Sequence, residues 1–125
     1  MTENRIKTFI EQRLELNQAV MDTNHLGIKR FFNLDTTAYT DGVLPAKTKE
    51  LLGLTASLVL RCNDCIDYHI IQCIDAGYSN EELYEAINVG LIVGGSIVIP
   101  HLRHAVESIT LYHAYCKDQE SSKAN

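Results

Sequence analysis

Apolar residues recur about one helical turn apart along most of this chain, the pattern of amphipathic helices. Ile6, Phe9, Ile10, Leu14 and Leu16, with Glu, Arg, Lys and Gln between them, predict a first helix from Thr2 to Val20 that serves packing. Leu26, Ile28, Phe31 and Phe32 predict a shorter second helix from about Asn24 to Leu34. Asp41-Gly42 and then Pro45 is turn chemistry leading into a residue suited to a first helical turn, so a third helix is expected from Pro45 to about Leu60. It begins polar, with Lys47, Thr48, Lys49 and Glu50, and then turns apolar nearly all round, as in an element buried on several sides. In so small a protein that points to oligomerisation.

A fourth helix follows, capped by Asn63 or Asp64 and stopping at Gly77, with Ile66, Ile70, Ile71 and Ile74 as its core face. Ser79-Asn80-Glu81-Glu82 reads as a capping box that starts a fifth. The run Gly90 to Pro100 could be buried strand or buried helix. A lone strand would find no partner elsewhere in the sequence, so the expectation is helix, a break at Gly94-Gly95, and a last helix capped by Ser96 that tolerates Pro100 in its first turn. Leu102, Ala105, Val106, Ile109 and Tyr112 would form its inner face, and the polar residues Lys117 to Asn125 a frayed tail. The fold class is therefore all-α, a compact bundle of about six helices in one domain over residues 1–125.

Composition narrows the function. The chain has 125 residues, 46% of them apolar, enough for a small core. Its net charge is -5, and no basic cluster exceeds the pair Lys29-Arg30, which excludes the electrostatic footprint of a nucleic-acid binder. Charges near Met1 stand where a secretory signal would need an apolar run, and no stretch reaches a membrane-spanning length, so a cytoplasmic location away from membranes is expected. There, four cysteines are not a disulfide framework, and a CxxC means metal or redox chemistry.

That CxxC is Cys62-Asn63-Asp64-Cys65, with His69 one helical turn beyond Cys65. At a helix start the two thiols share a face, the helix dipole favours the thiolate, and His69 could move a proton near neutral pH. Zinc is the competing use of such residues. It would need a fourth ligand, and Cys73, on the same face, is spread too far along the helix to converge with the other three. Cys73 and Cys116 read better as core residues. His101 and His104, one turn apart, are candidates to line the same pocket or an interface, while His25 and His113 carry no signal.

Glu50, eleven residues, Cys62, two, Cys65, three, and His69 form a pattern that resembles the Glu-x11-Cys-x2-Cys-x3-His signature of the AhpD-like alkylhydroperoxidases, in the carboxymuconolactone decarboxylase superfamily. The likeness runs from about residue 44 to 116. It implies an all-helical fold, assembly into a homo-trimer or homo-hexamer, and no cofactor beyond a redox-active disulfide between Cys62 and Cys65. By the resemblance Cys65 is the thiol that peroxide oxidises, Cys62 its disulfide partner, and Glu50 with His69 the proton relay. The implied partners are a small hydroperoxide and a thiol or dithiol reductant or redox protein. A carboxyl in a mostly apolar helix suits that relay, because it can accept and return a proton. In one straight helix, however, Glu50 would lie about 18 Å from Cys62. The relay thus requires a break near Arg61 to Asn63, or a Glu50 from a neighbouring subunit.

Two departures shape the expectation. Well-known peroxidase relatives carry a histidine between the cysteines, where this chain has Asn63-Asp64, and a carboxylate there opposes thiolate formation. Those relatives also have two copies of the helical unit. Three functions stay open: a thiol-dependent peroxidase or disulfide oxidoreductase in antioxidant defence, a lactone decarboxylase that has no need of a CxxC, and a non-enzymatic helical oligomer whose thiols bind zinc or sense oxidants.

Overall fold

One helix, α3, organises the bundle by packing on two others at once. The computed structural model describes residues 3–124. Among them, six α-helices follow in order: α1 (Arg5–Asp22), α2 (Leu26–Ala38), α3 (Ala46–Val59), α4 (Asn63–Asp75), α5 (Asn80–Gly94) and α6 (Ile99–Ala124), with a short 3-10 turn at Ser96–Val98. α3 lies against both α4 and α5, α6 closes over α4 and α5, and α1 runs along α6. No described helix is long and apolar enough to cross a membrane. The all-α expectation holds.

The core is the meeting of four apolar stripes: Leu54 and Leu58 of α3, Ile66 and Ile70 of α4, Leu83 and Ile87 of α5, and Ala105 and Ile109 of α6. Each fully buried Leu or Ile among them contributes about 1.5–3 kcal/mol, so these residues dominate the stability of the bundle. Local signals place the helix ends. Ser79 and Glu82 form the reciprocal capping box at α5, and Gly77 follows the end of α4 at φ +98°. The break at Gly94-Gly95 is present, with Gly95 at φ +80°, where a side chain would be strained.

Several expectations need correction. Ser96 does not cap the last helix: it opens the 3-10 turn, and α6 starts at Ile99 with Pro100 in its first turn, where no backbone N–H is needed. Lys117–Ala124, expected as a frayed tail, is helical, since nothing in Lys, Gln, Glu, Ser and Ala breaks the last helix; Asn125, like Thr2 at the other end, lies outside the described residues. The cap of α4 is Cys62, not Asn63 or Asp64. α3 buries one stripe rather than several faces, leaving Leu52 and Leu60 exposed, and Val106 of α6 also faces out.

The largest correction concerns the first two helices. Ile6 is the one buried residue of α1, and α2 has none. Leu14, Leu16, Leu26, Phe31 and Leu34 are all well exposed. Their periodicity was a true sign of helix, but among the described residues no element of the chain covers the face it makes.

Candidate active site

The turn between α3 and α4 builds the site. Cys62 N–H donates to Ser57 O at 3.1 Å and Arg61 N–H to Leu58 O at 3.0 Å, the paired bonds that close a helix when the residue after the cap turns left-handed. That residue is Arg61, at φ +59°, a conformation that costs a non-glycine residue roughly 1–2 kcal/mol. The chain reverses there, and Cys62 becomes the N-cap of α4. Its sulfur accepts the Cys65 N–H at 3.2 Å.

Cys62 and Cys65 are joined as a disulfide across the first turn of α4, with Cα atoms 5.2 Å apart. Cys65 is exposed and Cys62 half-buried. Asn63, between them, meets His101 of α6, whose Nδ1 lies 2.8 Å from Asn63 Oδ1.

Because α4 folds back along α3, Glu50 and His69 meet within one chain. Their contact is 2.8 Å, from Nδ1 of His69 to Oε2 of Glu50, and both residues are buried. An ionised carboxylate only accepts, so Nδ1 carries the proton and Nε2 keeps the lone pair. The ring lies over Gly53, one turn beyond Glu50. A Cβ at residue 53 would come within 2.6 to 2.9 Å of three ring atoms, so only glycine leaves the ring its place. The edge of Tyr68 and the ring of Tyr39 complete the enclosure, with centroids 5.0 and 5.4 Å from that of His69.

On the other side of α4 a second polar cluster ties three helices together. Asp67, buried two residues after Cys65, receives Arg5 Nη1 on Oδ2 at 2.9 Å. Its Oδ1 accepts His104 Nε2 at 2.9 Å and Ser108 Oγ at 2.5 Å. Arg5 Nη2 also donates to Ser108 Oγ at 2.9 Å and to Glu107 at 3.0 Å. The sequence reading missed Asp67, Arg5 and Ser108. A signal for the first existed, since Asp67 stands in helical register with Ile70, Ile71 and Ile74, and a carboxylate on a core stripe calls for a partner.

The two clusters border one cleft of about 840 Å³, walled by Phe9, Arg13 and Leu16 of α1 and floored by Cys65, Tyr68 and His69. Arg13 stands over the Tyr68 ring at 4.3 Å. His104 lines this cleft, whereas His101 meets the Asn63 side chain. Cys73 is fully buried, and burial pushes its thiol up to about 12, so it is inert as a core residue should be. Cys116 departs from the expectation by being partly exposed. His25 caps α2, accepting the Ile28 N–H, and His113 pairs with Asn80.

A disulfide at a helix start, backed by a buried carboxylate and imidazole on an all-helical scaffold, defines a protein with a dithiol site. The carboxymuconolactone decarboxylase family model matches residues 28–108, and the chain belongs to that family. Two crystal structures of a family protein from Thermotoga maritima superpose with TM-scores of 0.85 and 0.84 at 53% and 52% identity, over 90% of this chain and 98% and 96% of theirs. A family protein from Legionella pneumophila, 23% identical, shares the fold with a TM-score of 0.72 over 86% of this chain and 96% of its own. An uncharacterized protein of Cupriavidus necator is 29% identical over 77 residues, which cover 62% of this chain and 66% of that protein.

Proposed function

We propose that this protein is a thiol-dependent peroxidase of the AhpD-like kind, a disulfide oxidoreductase that reduces hydroperoxides in antioxidant defence. The observation that carries the reading is the exposed Cys65, disulfide-bonded to Cys62 one helical turn before a buried His69 whose lone pair is free of Glu50. A role in antioxidative response has been suggested for the Thermotoga maritima relative.

The cycle starts from the dithiol. His69 Nε2 takes the Cys65 proton, and the imidazolium is stabilised by Glu50. The thiolate attacks the terminal oxygen of a hydroperoxide; an S–O bond forms, the O–O bond breaks, and the leaving alkoxide takes the proton back from His69 as the alcohol departs. Cys62 then attacks the sulfur of the Cys65 sulfenic acid, releasing water and closing the disulfide. An external dithiol, free or on a redox protein, restores both thiols. It attacks the exposed Cys65, because Cys62 then leaves as a thiolate held by the amide of residue 65 and the positive end of α4. Asp64, in the first turn of α4, opposes thiolate formation at both cysteines and makes this site a slower one than a site with histidine there.

The same reading includes assembly into a homo-trimer or homo-hexamer in the cytoplasm. Apolar surface left bare on α1 and α2 supports the assembly. The test of function is consumption of an organic hydroperoxide with a dithiol donor. Cys65→Ser is expected to bring it to the uncatalysed background, and an unchanged rate overturns the reading.

A further inference from the structure

We propose that Tyr39 is a positioning residue for His69, its phenol hydroxyl holding the Nε2 lone pair so that the ring keeps one aim. The proposal rests on the peroxidase reading for its catalytic consequence, but its structural content stands apart from it.

Tyr39 sits at the C-cap of α2, a helix with no buried residue, yet its hydroxyl lies 3.5 Å from His69 Nε2 and its ring packs on the imidazole. Its place is not an accident of a loose loop. The segment after it is pinned to the first turn of α3: Lys49 Nζ donates to Thr40 O at 2.8 Å and the Ala46 N–H to Asp41 Oδ1 at 2.7 Å. Among the described residues, no other side chain makes a hydrogen bond with Nε2.

The direction of the bond follows from the other side of the ring. With the Nδ1 proton committed to the Glu50 carboxylate, Nε2 has only a lone pair to offer, and a phenol can donate to it. Tyr39 keeps that proton, because burial, then the charges of Glu50 and Asp35, hold its pKa above the ordinary tyrosine value. A separation of 3.5 Å is the outer limit of such a bond in a resting site, and catalytic hydrogen bonds tighten when the reacting partner arrives. Once the disulfide is reduced, the Cys65 thiol, four residues before His69 on the same face, competes for the lone pair that Tyr39 has kept aimed.

Tyr39→Phe tests this, since it keeps the ring that packs on His69 and removes only the hydroxyl. The first readout is nitrogen NMR of the His69 side chain in the disulfide form at neutral pH, which needs no turnover. The Nε2 resonance is expected to move downfield, toward that of an unbonded imine-type nitrogen. The second is peroxide turnover: kcat should fall about 2- to 10-fold, the worth of one neutral hydrogen bond, with KM unchanged. An unmoved resonance overturns the proposal, as does an unchanged kcat in an enzyme whose activity Cys65→Ser abolishes. If Cys65→Ser leaves activity intact, the peroxidase reading is what fails, and the resonance still decides for or against Tyr39.

Discussion

Two carboxylate–histidine contacts flank the first turns of α4, and they do opposite things. Glu50 and His69 stand at 2.8 Å, Asp67 and His104 at 2.9 Å, all four side chains largely shielded from water. Asp67 is saturated. Arg5 takes one oxygen, His104 and Ser108 share the other, and the guanidinium neutralises the charge in place. Among the described residues no Lys or Arg pairs with Glu50: its side-chain partner is His69, whose second nitrogen faces Tyr39. A saturated cluster holds things; an unsaturated one can pass a proton. The Asp67 cluster fastens the start of α1 to α4 and α6, and so builds the cleft wall opposite Cys65. On the peroxidase reading proposed above, the Glu50 cluster, which holds no fixed positive charge among the described residues, is the one that passes the proton.

Mutation on the two sides should therefore separate chemistry from stability. Glu50→Gln is expected to lower kcat for peroxide by about 10² to 10⁴-fold, the span of lost general acid–base catalysis, while the melting temperature moves little. Retained turnover in that variant would make Glu50 a packing residue. Asp67→Ala should do the reverse, destabilising the chain by about 3 kcal/mol because Arg5 and Ser108 lose a buried charge partner. Chemical denaturation measures that loss. Turnover per folded molecule should stay within an order of magnitude, and a folded but inactive Asp67→Ala variant would erase the distinction between the clusters.

The smallest effect belongs to a carboxylate outside both. Glu82 accepts the Ser79 backbone N–H at 2.8 Å, and this bond first, then the Ser79 hydroxyl, holds its carboxyl below the ordinary value of 4.5. A group depressed in the folded state contributes stability above its unfolded pKa and loses it as pH falls through the folded one. Glu82→Gln should be slightly less stable than the parent above about pH 5, and the two melting curves should converge on acidification below the ordinary carboxylate range. A gap that persists in acid would mean the capping box acts through shape rather than charge.

Much of this was legible in local pattern. Helical spacing marked six helices, Ser79 with Glu82 marked a start, and Gly94-Gly95 marked the break, because each depends only on residues within a turn or two. Glu50, Cys62, Cys65 and His69 were legible as a spaced set. Asp67 left a trace as a charge on an apolar stripe, but its partners Arg5 and Ser108 lie 62 and 41 residues away, and no local rule joins them. His101 and His104 looked equivalent at one turn apart; the crossing of α6 over α4 sends one to Asn63 and the other to Asp67.

By itself, then, the sequence determined the helices, the capping box of α5, the break at Gly94-Gly95 and the identity of the thiols, since those follow from backbone geometry and short-range hydrogen bonding. Only the tertiary structure decided which groups stay chemically free. That depends on how many partners packing brings to each buried charge. Among the described residues three side chains converge on Asp67, whereas Glu50 meets one, above a glycine that leaves the imidazole room to lie.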